Sequence, residues 1–156
     1  MKKKIILIII ILFLTNYCGF TPKYAGYGGI DYKLNINKVL GDRELNNYIK
    51  SQLKRFENKK TSDLKIINID IVSSFEKKAI ARNTKGNITR YDLVAKVEVN
   101  LISKDNAKII AFKESFKIDK IEDSVEENNY ILIVKKDFAK RIIDKLIFNI
   151  RTSFDQ

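Results

Sequence analysis

Residues 90–101 read Arg-Tyr-Asp-Leu-Val-Ala-Lys-Val-Glu-Val-Asn-Leu. Tyr91, Leu93, Ala95, Val97, Val99 and Leu101 fall on one phase of a period of two. Arg90, Asp92, Val94, Lys96, Glu98 and Asn100 fall on the other. Successive side chains of a strand point to opposite faces, so this pattern predicts a strand with one face in a core and one toward water. Upstream, Lys85-Gly86-Asn87 has turn chemistry, and downstream Lys104-Asp105-Asn106 has it again. The strand is therefore expected to sit between two hairpin neighbours.

Those neighbours are legible in the same way. Before the strand, Leu64, Ile66, Ile69 and Ile71 mark a second strand whose phase is obscured by the Ile66-Ile67 pair. The polar stretch from Ser73 to Asn83 extends it toward the turn. After the strand, Ile110, Phe112, Phe116 and Ile118 alternate, with Glu114 on the apolar phase, where a strand end or a bulge is expected. Nearer the N-terminus, Ile30, Tyr32, Leu34 and Ile36 alternate with Asp31, Lys33, Asn35 and Asn37.

Two segments change to helical spacing. Asp42 is a candidate N-cap for a helix carrying Leu45, Ile49, Leu53 and Phe56 on one face, followed by a polar break at 58–62. Ser124-x-x-Glu127 has capping-box spacing and opens a long helix to about Phe154. Ile131, Val134, Phe138, Ile142, Leu146 and Ile150 form its apolar stripe, widened by Ile143 and Ile147. The order β-α-β-β-β-α predicts an α+β, two-layer sandwich: a four-stranded sheet with two helices on one face. Residues 30–156 form this single domain, with no internal repeat.

The first 29 residues have a different character. Lys2, Lys3 and Lys4 precede ten apolar residues, Ile5 to Leu14. A helix of that length spans roughly 15 Å, about half a bilayer core. Residues 1–17 therefore read as a signal peptide and not as a membrane span. Cys18, the only cysteine, follows directly and has the character of a lipobox cysteine, whose sulfur receives diacylglycerol. Tyr17 and Thr15 depart from the small residue and the Leu usual before such a cysteine. Two or three acyl chains anchor durably where one is marginal. Residues 18–29 hold the only proline and four of the six glycines, and read as a tether. Gly19, in place of the Asp that favours inner-membrane retention in enterobacteria, permits the outer membrane.

Composition narrows the chemistry. With no histidine and one cysteine, the chain cannot form His-based triads, imidazole bases, Cys-cluster metal sites or an intramolecular disulfide. No glycine-rich phosphate loop precedes a helix, and the carboxylates, Glu114 aside, fall mostly on polar faces or at helix starts: Glu122, Asp123, Glu126 and Glu127 flank the last helix, where negative charge offsets its dipole. The reading is of a protein that is not an enzyme and needs no cofactor. The formal net charge is +11, of which three charges would leave with the signal peptide. A basic surface attracts phosphate groups and anionic lipid. Lys77, Lys78, Arg82, Lys85 and Arg90 gather along the hairpin around Gly86, either as a phosphate site or as a solvated tip. Export argues against nucleic acid as the partner.

The chain resembles the LptE family, the LPS-assembly lipoproteins of Gram-negative bacteria. Cys18-Gly19-Phe20 is similar to the start of mature members. Ala81 to Leu93, running into Val97-x-Val99, resembles the family's turn, aromatic-acid-Leu segment and following strand. Tyr130 to Ile150, with Ala139 to Leu146 inside it, resembles the long last helix. The resemblance covers the whole mature chain and agrees with the element order. It implies an outer-membrane lipoprotein, with palmitate among its acyl chains, facing the periplasm or a barrel lumen. It further implies a plug and assembly factor in an LptD-type β-barrel that binds lipopolysaccharide. Cys18 carries over as the lipid anchor. Arg82, Lys85 and Arg90 are assigned to the lipopolysaccharide by their place in the hairpin, not by a family motif. The alternative is another envelope lipoprotein, one that binds a periplasmic or ABC-exporter partner.

Overall fold

The structure, a computed structural model, describes residues 32–56, 65–104 and 106–154. Ile30, the signal peptide, Cys18 and the tether lie outside the described residues. The elements run β1 (Tyr32–Gly41), α1 (Arg43–Leu53), a 3₁₀ turn (Lys54–Phe56), β2 (Lys65–Arg82), β3 (Ile88–Ile102), β4 (Ala107–Asp119) and α2 (Ser124–Phe154). The sheet order is β1-β2-β3-β4. β1 lies parallel to β2 with α1 as the crossover, and the other pairs are antiparallel hairpins. This is the α+β architecture expected from the alternation, with both helices on one face.

One continuous core joins the layers. Ile67, Ile69 and Ile71 of β2 and Leu93, Ala95, Val97, Val99 and Leu101 of β3 are buried against Leu45, Ile49 and Leu53 of α1. Val134, Phe138, Ile142, Ile143, Leu146, Ile147 and Ile150 of α2 close it. The stripe expected on α2 is thus the core face, with Ile131 half-buried at its edge. The ambiguous pair in β2 resolves in favour of Ile67, and Ile66 is 54% exposed on the helix-free face. The polar stretch after Ile71 continues the strand to Arg82, as expected.

Three local expectations are corrected. Glu114 lies at neither a bulge nor a strand end: β3 and β4 pair without a register shift from Ile102↔Ala107 to Arg90↔Asp119. Its carboxylate is buried on the helix side, where Lys145 reaches it at 2.5 Å and Arg141 at 3.5 Å from α2. A buried charge is tolerated when paired, and these two cations, one helical turn apart, pair it. Second, the cap of α2 is Asp123, whose Oδ1 accepts from the N–H groups of Val125 and Glu126 at 2.8 and 2.9 Å. Glu127 is turned to Lys77 instead, so Ser124 and Glu127 do not form a capping box. Third, Phe116 is 41% exposed although it holds the core phase.

The corner between β1 and α1 is tightly built. Gly41 has φ +101°, and a Cβ placed there would lie 1.7 Å from the carbonyl oxygen of Ser73. Asp42 caps α1, accepting from Leu45 N–H at 2.8 Å. Lys135 of α2 donates to Asp42 at 2.9 Å and to Glu44 at 2.6 Å while its Nζ lies 4.6 Å from the Phe75 ring centre. Among the described residues, no helix is long and apolar enough to cross a membrane.

Candidate functional site

The hairpin between β2 and β3 carries the predicted basic residues, and Asn83 organises its tip. Asn83 N–H donates to the carbonyl of Asn87, and Gly86 N–H donates to the carbonyl of Asn83, both at 2.9 Å. The side-chain Oδ1 of Asn83 accepts from Lys85 N–H at 3.0 Å and from Asn87 N–H at 2.9 Å. Asn favours such turns because its amide oxygen imitates a backbone carbonyl. Gly86 has φ +83° with open space around it, so glycine here serves the turn's dihedral and not close packing.

The structure brings Arg82, Lys85 and Arg90 to one end of the sheet but in different states. Arg82 Nη1 donates to the Gly86 carbonyl at 2.8 Å, so this guanidinium ties the turn. Arg90 Nε donates to Asp119 at 2.8 Å across the β3–β4 ladder. Lys85 stands exposed in the turn, its ammonium without an ion pair among the described residues. Lys120, whose N–H donates to the Thr89 carbonyl at 2.8 Å, adds a fourth cation at this end. Its pKa is raised by the hydrogen bond and charge of Glu122.

The other two hairpin cations are held lower down. Lys77 pairs with Glu127, and its ammonium lies 4.0 Å from the Tyr91 ring centre, joining the hairpin to the start of α2. Lys78 pairs with Glu76 at 2.7 Å, which lowers the pKa of the carboxyl and raises that of the amine. These pairs are structural, and in water such contacts are worth little individually. The end of the sheet is therefore a cationic surface with Lys85 at its most open point. An arrangement of this kind can meet phosphate oxygens by charge-assisted hydrogen bonds. Among the described residues, no group of His, Cys, Asp or Glu is placed to hold a metal ion.

Three charged positions that matter to the fold escaped the sequence reading. Lys135 lies three residues before Phe138 and seven before Ile142, on the apolar face of α2, and that spacing was its signal. Arg141 and Lys145, four apart, are the complement of Glu114, a pairing that only the three-dimensional fold reveals.

A four-stranded mixed sheet covered on one face by two helices, with a cationic hairpin beyond the core, defines a small two-layer α+β domain. Among solved structures it matches the rare lipoprotein B from Shewanella oneidensis with a TM-score of 0.52 at 15% identity, over 72% of this chain and 96% of that one. It also matches a minor lipoprotein from Acinetobacter baumannii, TM-score 0.49 at 14% identity, over 78% and 95% of the two chains. A third match is lipoprotein B from Nitrosomonas europaea, TM-score 0.48 at 16% identity, over 81% and 90%. At these identities the likeness is one of fold. No protein-family model matches the chain, and no curated protein matches its sequence.

Proposed function

We propose that this chain is an outer-membrane lipoprotein, anchored through Cys18, that acts without catalysis as the plug, assembly factor and lipopolysaccharide-binding subunit of an LptD-type β-barrel. One conjunction carries the reading. A lone cysteine follows a ten-residue apolar run, and behind it stands a domain with the fold of a bacterial rare lipoprotein B. The family resemblance at Cys18-Gly19-Phe20, at the β2–β3 hairpin and along α2 supplies the barrel and the ligand. The cationic end of the sheet supports a phosphate-bearing ligand, with Lys85 as the first contact and Arg82 and Arg90 beside it.

The test has two parts. Labelled palmitate should enter the native protein and should fail to enter Cys18→Ser, which should also leave the membrane fraction. An intact Met1 and an unmodified Cys18 in the mass spectrum of the native protein would end the lipoprotein reading. Affinity purification from native outer membrane should then bring down a large β-barrel together with lipopolysaccharide. Recovery of an inner-membrane exporter instead would favour the other envelope role.

A further inference from the structure

We infer that the outer edge of β4 is a docking site for an extended acidic strand of a partner protein, which joins the sheet beside β4 as a fifth strand. The inference goes beyond the proposed function and does not depend on lipidation or on lipopolysaccharide.

The two edges of the sheet are built differently. β1 is a 10-residue parallel edge whose register breaks between Ile36 and Lys38. A bulge of this sort twists an edge away from new partners. β4 is a 13-residue antiparallel edge, and its pairing to β3 runs unbroken along its whole length. Among the described residues it has one neighbour, so alternate residues turn their N–H and C=O groups outward along the strand. An edge of that length offers main-chain affinity, and its side chains set which strand fits.

Those side chains select by charge. On the helix-free face β4 presents Ile109, Ala111, Lys113, Ser115 and Lys117. Lys113 lies opposite Lys96 of β3, and Lys96 turns toward Glu76 at 3.6 Å on its other side. Lys113 is thus left beside a like charge and makes no ion pair among the described residues, with Glu98 of β3 lying diagonally across the ladder on the same face. Lys117 lies opposite Asp92 but makes no ion pair with it or with any other acid among the described residues. On the helix side, the half-open Phe116 offers an apolar contact at the same edge.

A second copy of this chain is a poor occupant. Antiparallel self-pairing centred on Lys113 would set that lysine against itself, and parallel in-register pairing would do so at Lys108, Lys113 and Lys117. Like charges directly opposite each other on a ladder are destabilising. The complementary strand carries two acids four residues apart on one face, against Lys113 and Lys117. Its other face is apolar and lies against Phe116.

A capped heptapeptide with the pattern Val-Glu-Val-Thr-Val-Glu-Val places those groups correctly. Titrated into the full chain in detergent, it should slow amide exchange along 107–119 and leave β1 unchanged. Lys113→Glu with Lys117→Glu, both surface changes that circular dichroism should show to be folded, should weaken binding roughly tenfold or more. The same variant should favour a peptide carrying Lys in place of Glu. Methylation of alternate peptide nitrogens should abolish binding, since it removes the ladder. Equal binding of the methylated peptide, protection on β1 instead of β4, or no effect of charge reversal would each overturn the inference. So would protection of β4 by anionic vesicles with none by the peptide, which would make the lysines a lipid contact.

Discussion

Gly41→Ala tests whether the β1–α1 corner is fixed by backbone approach. At φ +101° an L side chain is strained by roughly 1–2 kcal/mol. The added Cβ would also lie 1.7 Å from the Ser73 carbonyl oxygen and 2.7 Å from its carbon, and both are backbone atoms of the neighbouring strand. They can give way only if β1 and β2 part, and forced repacking of that kind costs roughly 1–3 kcal/mol. Parting the strands also disturbs the bond from Asp42 N–H to Ser73 O at 3.3 Å, and with it the cap of α1. The expected loss is about 2–5 kcal/mol, a large part of a small domain's stability. Gly86→Ala provides the control, because φ is +83° there but nothing lies within 4 Å of the added atom. It should lose only the dihedral contribution, about 1–2 kcal/mol. Urea unfolding of the two variants, with midpoints and slopes compared, measures the difference. If Gly41→Ala costs no more than Gly86→Ala, the close approach to Ser73 does not constrain the fold.

Phe138→Ala, at a fully buried position in the middle of α2, should cost roughly 3–5 kcal/mol, and an unchanged urea midpoint would show that this face is not core. Lys135→Met should cost about 1–3 kcal/mol, a figure discounted because Glu44 is largely exposed. Burial opposes the charge of Lys135, but the hydrogen bonds it donates to Glu44 and Asp42 and their charges outweigh it and raise the pKa above 10.5. Its stabilisation is therefore complete below pH 10.5 and fades as the pH climbs through the raised value, so the gap between parent and Lys135→Met should narrow only in that alkaline range. Changing Arg82, Lys85 and Arg90 together to Glu should weaken binding of purified lipopolysaccharide roughly tenfold or more while the domain stays folded. Lys85→Glu alone should produce the larger share, because Arg82 and Arg90 are already bonded to Gly86 and Asp119. Parental binding by the triple variant would leave these charges as a solvated tip.

The element order was legible because each strand and helix has its own period. Residues 90–101 alternate without a fault, and α2 repeats its apolar side chains at three and four over 31 residues. Local signals failed where a charge enters a core phase. Glu114 looked like a defect in a strand because the cations that pair it come from α2, beyond the reach of any local window. Asp123 and Ser124 are both good caps, and spacing could not choose between them. The choice falls to Asp123 because Lys77, some 50 positions away in sequence, takes Glu127 out of the box. The hairpin was legible as a basic segment, but charge count did not distinguish Arg82, which ties the turn, from Lys85, which does not.

That difference bears on how a domain of this kind recognises anything. Its interior is filled by apolar side chains, mostly aliphatic, and the buried charges, Glu114 and Lys135, are matched within the fold. The two surfaces proposed for recognition lie at the periphery: the cationic hairpin end and the edge of β4, whose register is unbroken. The helices are committed to the core along the α1 and α2 stripes. A ligand at the hairpin would be met mainly by charge, so its binding should weaken steeply with salt. A strand at the β4 edge would be held mainly by main-chain hydrogen bonds, so its binding should respond weakly to salt and strongly to peptide methylation. The two surfaces can therefore be separated in one preparation of the full chain. Raising the salt should release the anionic ligand first and leave the added strand in place, and the reverse order would mean that charge, not the ladder, holds the strand.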